Sequence, residues 1–432
     1  PTRRSSDLYM SSWPWKWANW THHFMQGGNI TTPGLLVVFA FMIIFTLINF
    51  WSIKIMTHFT NLISVFKVLL PTITIIMLFA SSFHPANFGH DVKTFMPYGS
   101  RAIFEAASGA GIIMSYDAFQ TIINIGGELK NPRKNIIRGV LISMLVTAAI
   151  YILLQIAFIG AVDPAIIAKN SWQGINFASP FADIAILLGI NWLVILLYMD
   201  AFVSPFGTGV AFVATASRAL AAMTHTKHLP AWLGRLNRRY LVPRFAMVAD
   251  LILAMILVSV FRNWNLLATV ITCATLIAYL TGPVTTITLR KIAPDLDRPY
   301  KPVYMRWFAP LTFVLTSLAI YWTMWPTTIQ VILVIVLGIP IYFYYEVKYQ
   351  KRNFKSQFKH AAWLLGYLVF ISIMSYCGSD GFGGQNWISY PWDFLVISIA
   401  SLLFYKFAIN SGLEKIDATA IKVNEKIKLE ED

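Results

Sequence analysis

The feature that most constrains this chain is a series of apolar runs, each long enough to cross a bilayer. They lie at 33–53, 58–81, 102–125, 138–162, 190–216, 245–261, 264–288, 307–325, 327–345, 361–377 and 391–409. In hydrocarbon every backbone N–H and C=O must find a partner, so such runs are expected to be membrane-spanning α-helices. Composition agrees: hydrophobic residues make up 57% and charged ones 12%, the latter about half the share of a soluble domain. The formal charge of +14 would suit nucleic acid, but the basic residues sit in short loops between the apolar runs. That is membrane topology, with lipid as the surrounding partner and no nucleic acid. Cys273 lies inside a run and Cys377 at the end of one, so the two cysteines give no disulfide framework.

Lys and Arg alternate between the two sets of loops. One set holds Lys54, then Lys130, Arg133, Lys134 and Arg138, and stays basic through Lys359; the other holds only Lys93, Arg101, Lys169 and Arg262. Cytoplasmic loops carry the excess of Lys and Arg. The first set is therefore expected inside, together with the charged tail 410–432, and residues 9–32 outside. Residues 1–8, PTRRSSDL, lack an initiating Met and resemble a translated sequencing adapter. They are expected to be foreign, with native sequence missing before residue 9.

Within this pattern the stretch 103–138, IFEAASGAGIIMSYDAFQTIINIGGELKNPRKNIIR, reads as a span broken halfway. Gly109 and Gly111 precede a polar cluster, Ser115-Tyr116-Asp117. A carboxylate at bilayer depth is costly and marks a functional site. Irregular backbone at that depth is tolerated where it is buried or lines a cavity. The bland alternative is a kinked span whose Asp117 pairs with a neighbouring helix.

Two further runs carry polar residues beside a proline. In 58–81, Asn61, Ser64, Lys67 and Thr74 fall near one helical face. Pro71 cannot donate to the Lys67 carbonyl four residues back. Lys67 lies about nine residues from the run's end, about 13 Å along a helix, too far for easy snorkelling, and its charge is costly there without a partner. In 190–216, Asp200, Ser204 and Thr208 recur every four residues, and Pro205, Gly207 and Gly209 weaken the helix. A proton or cation relay suits such a stripe; a static hydrogen-bonded pair is the alternative. Lys67, Asp200 and Ser204 are thus candidates for proton coupling. In 264–288, Pro283 is expected to make only a kink.

Other chemistry is poorly supported. His22-His23 and the pair His225/His228 lack further ligands, so no metal set emerges. The GFGG at 381–384 has no phosphate-binding Lys after it. No nucleotide loop, metalloprotease helix or nucleophile elbow is present, which argues against an enzyme and against a cofactor.

The run YDAFQTIINIGGELKNPRKNIIRG closely resembles the sixth helix and following loop of amino acid permeases of the amino acid–polyamine–organocation superfamily. VFKVLL around Lys67 resembles their fifth helix, ATASRALAAMTHTKHLP the loop after their eighth, and DLDRPYKPVYMRWFAP the loop after their tenth. The resemblance covers 33–409 and implies an all-α polytopic membrane protein with two inverted five-helix repeats and broken helices. By that register the chain runs from helix four to helix fourteen, about 11 of about 14 spans. The late AYLTGPV and SYCGSDGFGG segments look most like the aspartate–proton symporter branch. The resemblance further implies a substrate site at Gly111, Met114, Ser115, Tyr116, Asp117, Ala118 and Gln120. Lys67 stands where many sodium-independent members carry a lysine, which implies protons rather than sodium. Met114 replaces a frequent aromatic gate and Gln120 a frequent carboxylate. The expected function is import of an amino acid across the cytoplasmic membrane by proton symport, acidic amino acids included. An antiporter or a non-transporting nutrient sensor on the same scaffold are the alternatives.

Overall fold

The computed structural model describes residues 20–411, apart from 22, 52, 110, 120, 121, 124–130, 176, 178, 226, 227, 241, 295–297, 299–301, 346 and 349–353. Residues 1–8, most of the tail 410–432, and Gln120 therefore lie outside the described residues.

Among the described residues the architecture is all-α apart from one small hairpin, β1 (Met25–Gln26) with β2 (Asn29–Ile30). Besides a single α-helical turn at Val92–Phe95, the helices are α1 (Thr32–Trp51), α2 (Ile53–Ser81), α3 (Gly99–Gly109), α4 (Pro132–Ala161), α5 (Pro164–Gly174), α6 (Pro180–Leu187) and α7 (Asn191–His225). They continue as α8 (Arg244–Val260), α9 (Trp264–Ile292), α10 (Met305–Tyr321), α11 (Thr327–Tyr345), α12 (Phe354–Cys377) and α13 (Trp392–Asn410). Each apolar run contains a helix, and 102–125 is interrupted: α3 stops at Gly109 and a 3-10 turn follows at Met114–Phe119. Among the described residues eight helical stretches are long and apolar enough to span a bilayer, and Met305–Tyr321 is a shorter apolar helix. The protein is a multi-pass membrane protein. Large side chains on its surface, such as Leu145 on α4 and Leu337 on α11, are more than 70% exposed, as a lipid-solvated surface requires.

The sequence reading missed α5 and α6 because both are too short to register as spans. Local chemistry nonetheless fixes their starts. Each begins with Pro, whose missing N–H costs nothing in a helix's first turn, and the Asp163 side chain caps α5 by accepting from Ala165 N–H at 2.8 Å.

The chain forms two compact units. The first comprises residues 1–100 and 118–267. Its centre is α7, packed against α1, α2, α6 and α8, while α4 packs on α2. Buried Leu70, Ala185, Ile190 and Leu193 form one apolar cluster, and Leu78, Ala157, Phe158, Ala161, Val162 and Ile184 another. The second unit comprises residues 101–117 and 268–432. There α10 and α12 pack on α13, and α11 packs on α12. Its core is aromatic, with Phe313, Tyr321, Tyr367 and Phe382 fully buried.

Candidate functional site

Two places carry the polar residues singled out by sequence, one in each unit. In the first unit, α2 and α7 approach closely because Gly207 has no side chain. A Cβ there would lie 2.7 Å from Ile63 Cδ1 and 2.9 Å from its Cγ2. Neighbouring contacts set the register of α7: Phe206 meets Phe45 edge-on at 4.9 Å, and Asn49 Nδ2 donates to the Val210 carbonyl at 3.0 Å. The result brings Lys67 on α2 to α7. Its ammonium donates to Thr208 Oγ1 at 2.6 Å, and that hydroxyl donates to the Ser204 carbonyl at 3.0 Å. Lys67 and Ser204 are both half-buried. Asp200 sits on the same α7 stripe, one turn before Ser204, and is also half-buried. Lys67 and Ser204 are thus joined through Thr208. Thr208 appears in the sequence only as a third member of the stripe.

Both partners lie beside a proline. Pro71 inside α2 and Pro205 inside α7 each lack the N–H that would bond the carbonyl four residues earlier, those of Lys67 and Ala201. The charge-bearing turn of each helix is therefore the turn with the weakest backbone ladder.

The second unit holds the break. The helix α3 ends at Gly109, and Gly111 takes φ +77°, a left-handed value that glycine adopts without strain. Ile113 N–H then reaches back to the Ala107 carbonyl at 2.9 Å. The Gly111 carbonyl accepts twice from Ser115, from its backbone N–H at 3.1 Å and its hydroxyl at 3.0 Å. Gly111, Met114, Ser115 and Tyr116 are half-buried. Asp117 and Ala118 are placed by backbone alone, at the middle of the 3-10 turn. The sequence reading of an interrupted span with its polar cluster at the interruption agrees with this geometry.

A half-helix ending in an unwound turn is a feature of secondary transporters built from discontinuous helices. The amino acid permease profile matches residues 9–370. The chain belongs to the amino acid permease family. This permease is 45% identical over 410 residues to the glutamate/serine transporter AimA of Bacillus subtilis, covering 95% of this chain and 76% of that protein. It is 34% identical over 390 residues to the aspartate-proton symporter of the same organism, covering 89% of this chain and 74% of the relative. It is 24% identical over 360 residues to the branched-chain amino acid permease BcaP, also from Bacillus subtilis, with 78% and 73% covered. The family and these relatives are transporters, and among the described residues no cluster of three or more His, Cys, Asp or Glu side chains could hold a metal ion.

Proposed function

We propose that this permease imports a small polar or acidic amino acid, of the glutamate, serine or aspartate class, together with protons, and that it is a transporter and not an enzyme. The 45% and 34% identities to a glutamate/serine transporter and an aspartate-proton symporter support the substrate class. The single observation that supports proton coupling is the Lys67–Thr208 hydrogen bond between two proline-weakened helices. A primary ammonium can give up its proton and keep its hydrogen-bonding partner, which an arginine at the same place could not do.

The substrate site in this reading is the turn Gly111–Ala118 with Gln120. The C-terminal end of α3 carries partial negative charge and attracts the substrate ammonium. The unwound turn meets its carboxylate, with the Ser115 hydroxyl exchanging its bond to the Gly111 carbonyl for one to the substrate. Lys67 holds the coupled proton, with Asp200 and Ser204 completing the proton-coupling set. The basic loops and the tail 410–432 face the cytoplasm, and the N-terminal loop 9–32 faces outward.

The test is uptake of labelled glutamate, serine and aspartate by the full-length protein in proteoliposomes. Accumulation driven by an imposed proton gradient supports symport. Uptake that appears only after preloading the vesicles with amino acid assigns the protein to the exchangers, and ligand binding without any movement assigns it to the sensors.

A further inference from the structure

The helix α3 is the first arm of the broken span, and its last residue stands two positions before Gly111. Within the second unit its first half is gripped by side-chain contacts, and the chain just past its end packs on the same unit. At its start, Arg101 Nε donates to Glu105 Oε1 at 2.7 Å and Arg101 Nη1 to Asp380 Oδ1 at 3.0 Å. Asp380 belongs to the loop between α12 and α13, and the guanidinium crowds Gly381, where any Cβ would overlap its Nε and Nη2. One turn on, Phe104 stacks on Trp322 with ring centroids 4.9 Å apart and meets Phe394 of α13 edge-on at 5.1 Å. Past the break, Ile113 packs against the same core.

The loop that receives Arg101 is itself stiff. Asn386 N–H donates to the Gly378 carbonyl at 2.7 Å, Gln385 N–H to Tyr376 at 2.7 Å, and Trp325 N–H to Phe382 at 2.9 Å. A loop so stitched gives Asp380 a fixed position from which to act.

We propose that Arg101 is a positioning residue: by binding Asp380 it fixes α3, and with it the substrate-binding turn at 111–116, on the loop between α12 and α13. The terminal helices thereby serve as the platform for the first arm throughout the transport cycle. This inference rests on the transport reading for its kinetic consequence, though not for the clamp itself.

The clamp is not a pH switch. Arg101 beside it holds the Asp380 carboxyl below the usual carboxylate value of 3.8. A carboxylate whose folded-state value is depressed contributes its stabilisation above the unfolded value and loses it as pH falls through the folded one. The pair therefore persists across the neutral and mildly acidic range in which a proton gradient is imposed, and opens only in stronger acid.

The experiment compares Asp380→Ala, Asp380→Glu and the unaltered full-length protein. In proteoliposomes, Asp380→Ala is expected to raise KM for labelled glutamate or serine about three-fold, the scale of a half-exposed ion pair, with kcat nearly unchanged. Asp380→Glu is expected to restore KM. In detergent, amide exchange over residues 101–109 is expected to quicken in Asp380→Ala and to recover in Asp380→Glu. The unaltered protein should show the same protection factors over that segment at pH 7 and pH 5, once the pH dependence of intrinsic amide exchange is taken out. An unchanged KM in a folded Asp380→Ala protein, or unchanged exchange over α3, overturns the clamp. If the unaltered protein takes up neither amino acid, the transport reading fails, and the exchange measurement still decides the clamp.

Discussion

The two units each place an ionisable side chain among apolar helices, and they treat it in opposite ways. In the second unit Asp393, in the first turn of α13, is fully buried. Tyr321 OH donates to one of its oxygens at 2.7 Å, Phe394 N–H donates to the other at 2.8 Å, and Ser379 N–H donates to the same tyrosine oxygen at 2.9 Å. Every donor there is fixed by core packing or backbone. In the first unit Lys67 is half-buried and bonded to a hydroxyl on a helix that proline has weakened. A sealed carboxyl with both oxygens hydrogen-bonded holds a fold together, whereas a reachable charge on deformable helices can change its protonation as the helices move.

The sharpest way to break that contrast is to remove Lys67. Lys67→Ala is expected to abolish proton-driven accumulation of amino acid, a fall of about a hundred-fold or more, as loss of a general acid–base group commonly gives. Counterflow at equal pH on both sides should survive better than net accumulation. Lys67→Arg keeps the charge without an exchangeable proton, so it should follow Lys67→Ala in accumulation. If either variant still concentrates amino acid, the coupled proton is carried elsewhere.

The matching change in the second unit is Asp393→Ala. It leaves the Tyr321 hydroxyl and the Phe394 N–H facing a buried void, and unmet buried polar groups cost about 1–3 kcal/mol each. Thermal unfolding in detergent should therefore fall by several degrees, while KM and the pH profile of the surviving folded protein stay as they were. Tyr321→Phe removes one of those bonds and should give a smaller drop in the same direction. A change of pH profile in either variant would erase the distinction between a structural carboxylate and a coupling lysine.

Much of the polar site in each unit can be read from the sequence. An Asp or Lys inside an apolar run is conspicuous because lipid penalises it, and a proline or glycine beside it marks weak backbone. Lys67, Asp117 and Asp200 stand out on that ground, and Gly109 and Gly111 foretell the break after α3. The partner of Lys67 does not stand out. Asp200, Ser204 and Thr208 share one face of α7 equally, and the choice among them depends on how far α7 slides along α2. That offset is fixed by the absent side chain of Gly207 against Ile63 and by Asn49 on Val210, contacts between residues more than 140 positions apart. Asp393 is hidden for a different reason: at the start of an apolar run it looks like an interfacial residue. Only the folding of the 378–390 loop over it shows that it is buried. Arg101 likewise counts in the sequence as one charge in a sparse loop, and its role depends on a residue 279 positions away.

The gentlest test of the comparison is made at Thr208. Valine has nearly the same shape, so Thr208→Val keeps the packing of α7 on α2 and deletes only the hydroxyl that accepts from Lys67. A charge-assisted hydrogen bond contributes about 1.5–3 kcal/mol, but Lys67 is half-buried and water replaces part of what is lost. Proton-driven uptake is expected to fall about five-fold, smaller than the loss of Lys67 because the amine itself remains. Thr208→Ser keeps the acceptor and should recover most of the activity. The hydroxyl also donates to the Ser204 carbonyl, a back-bond that slightly bends a helix, so valine should also straighten α7 near Pro205. If valine works where serine fails, the methyl group and its packing matter more than the hydroxyl. Lys67 would then be held by the shape of the α2–α7 contact, as Asp393 is held by the shape of its core, and the two units would differ less than their polar groups suggest.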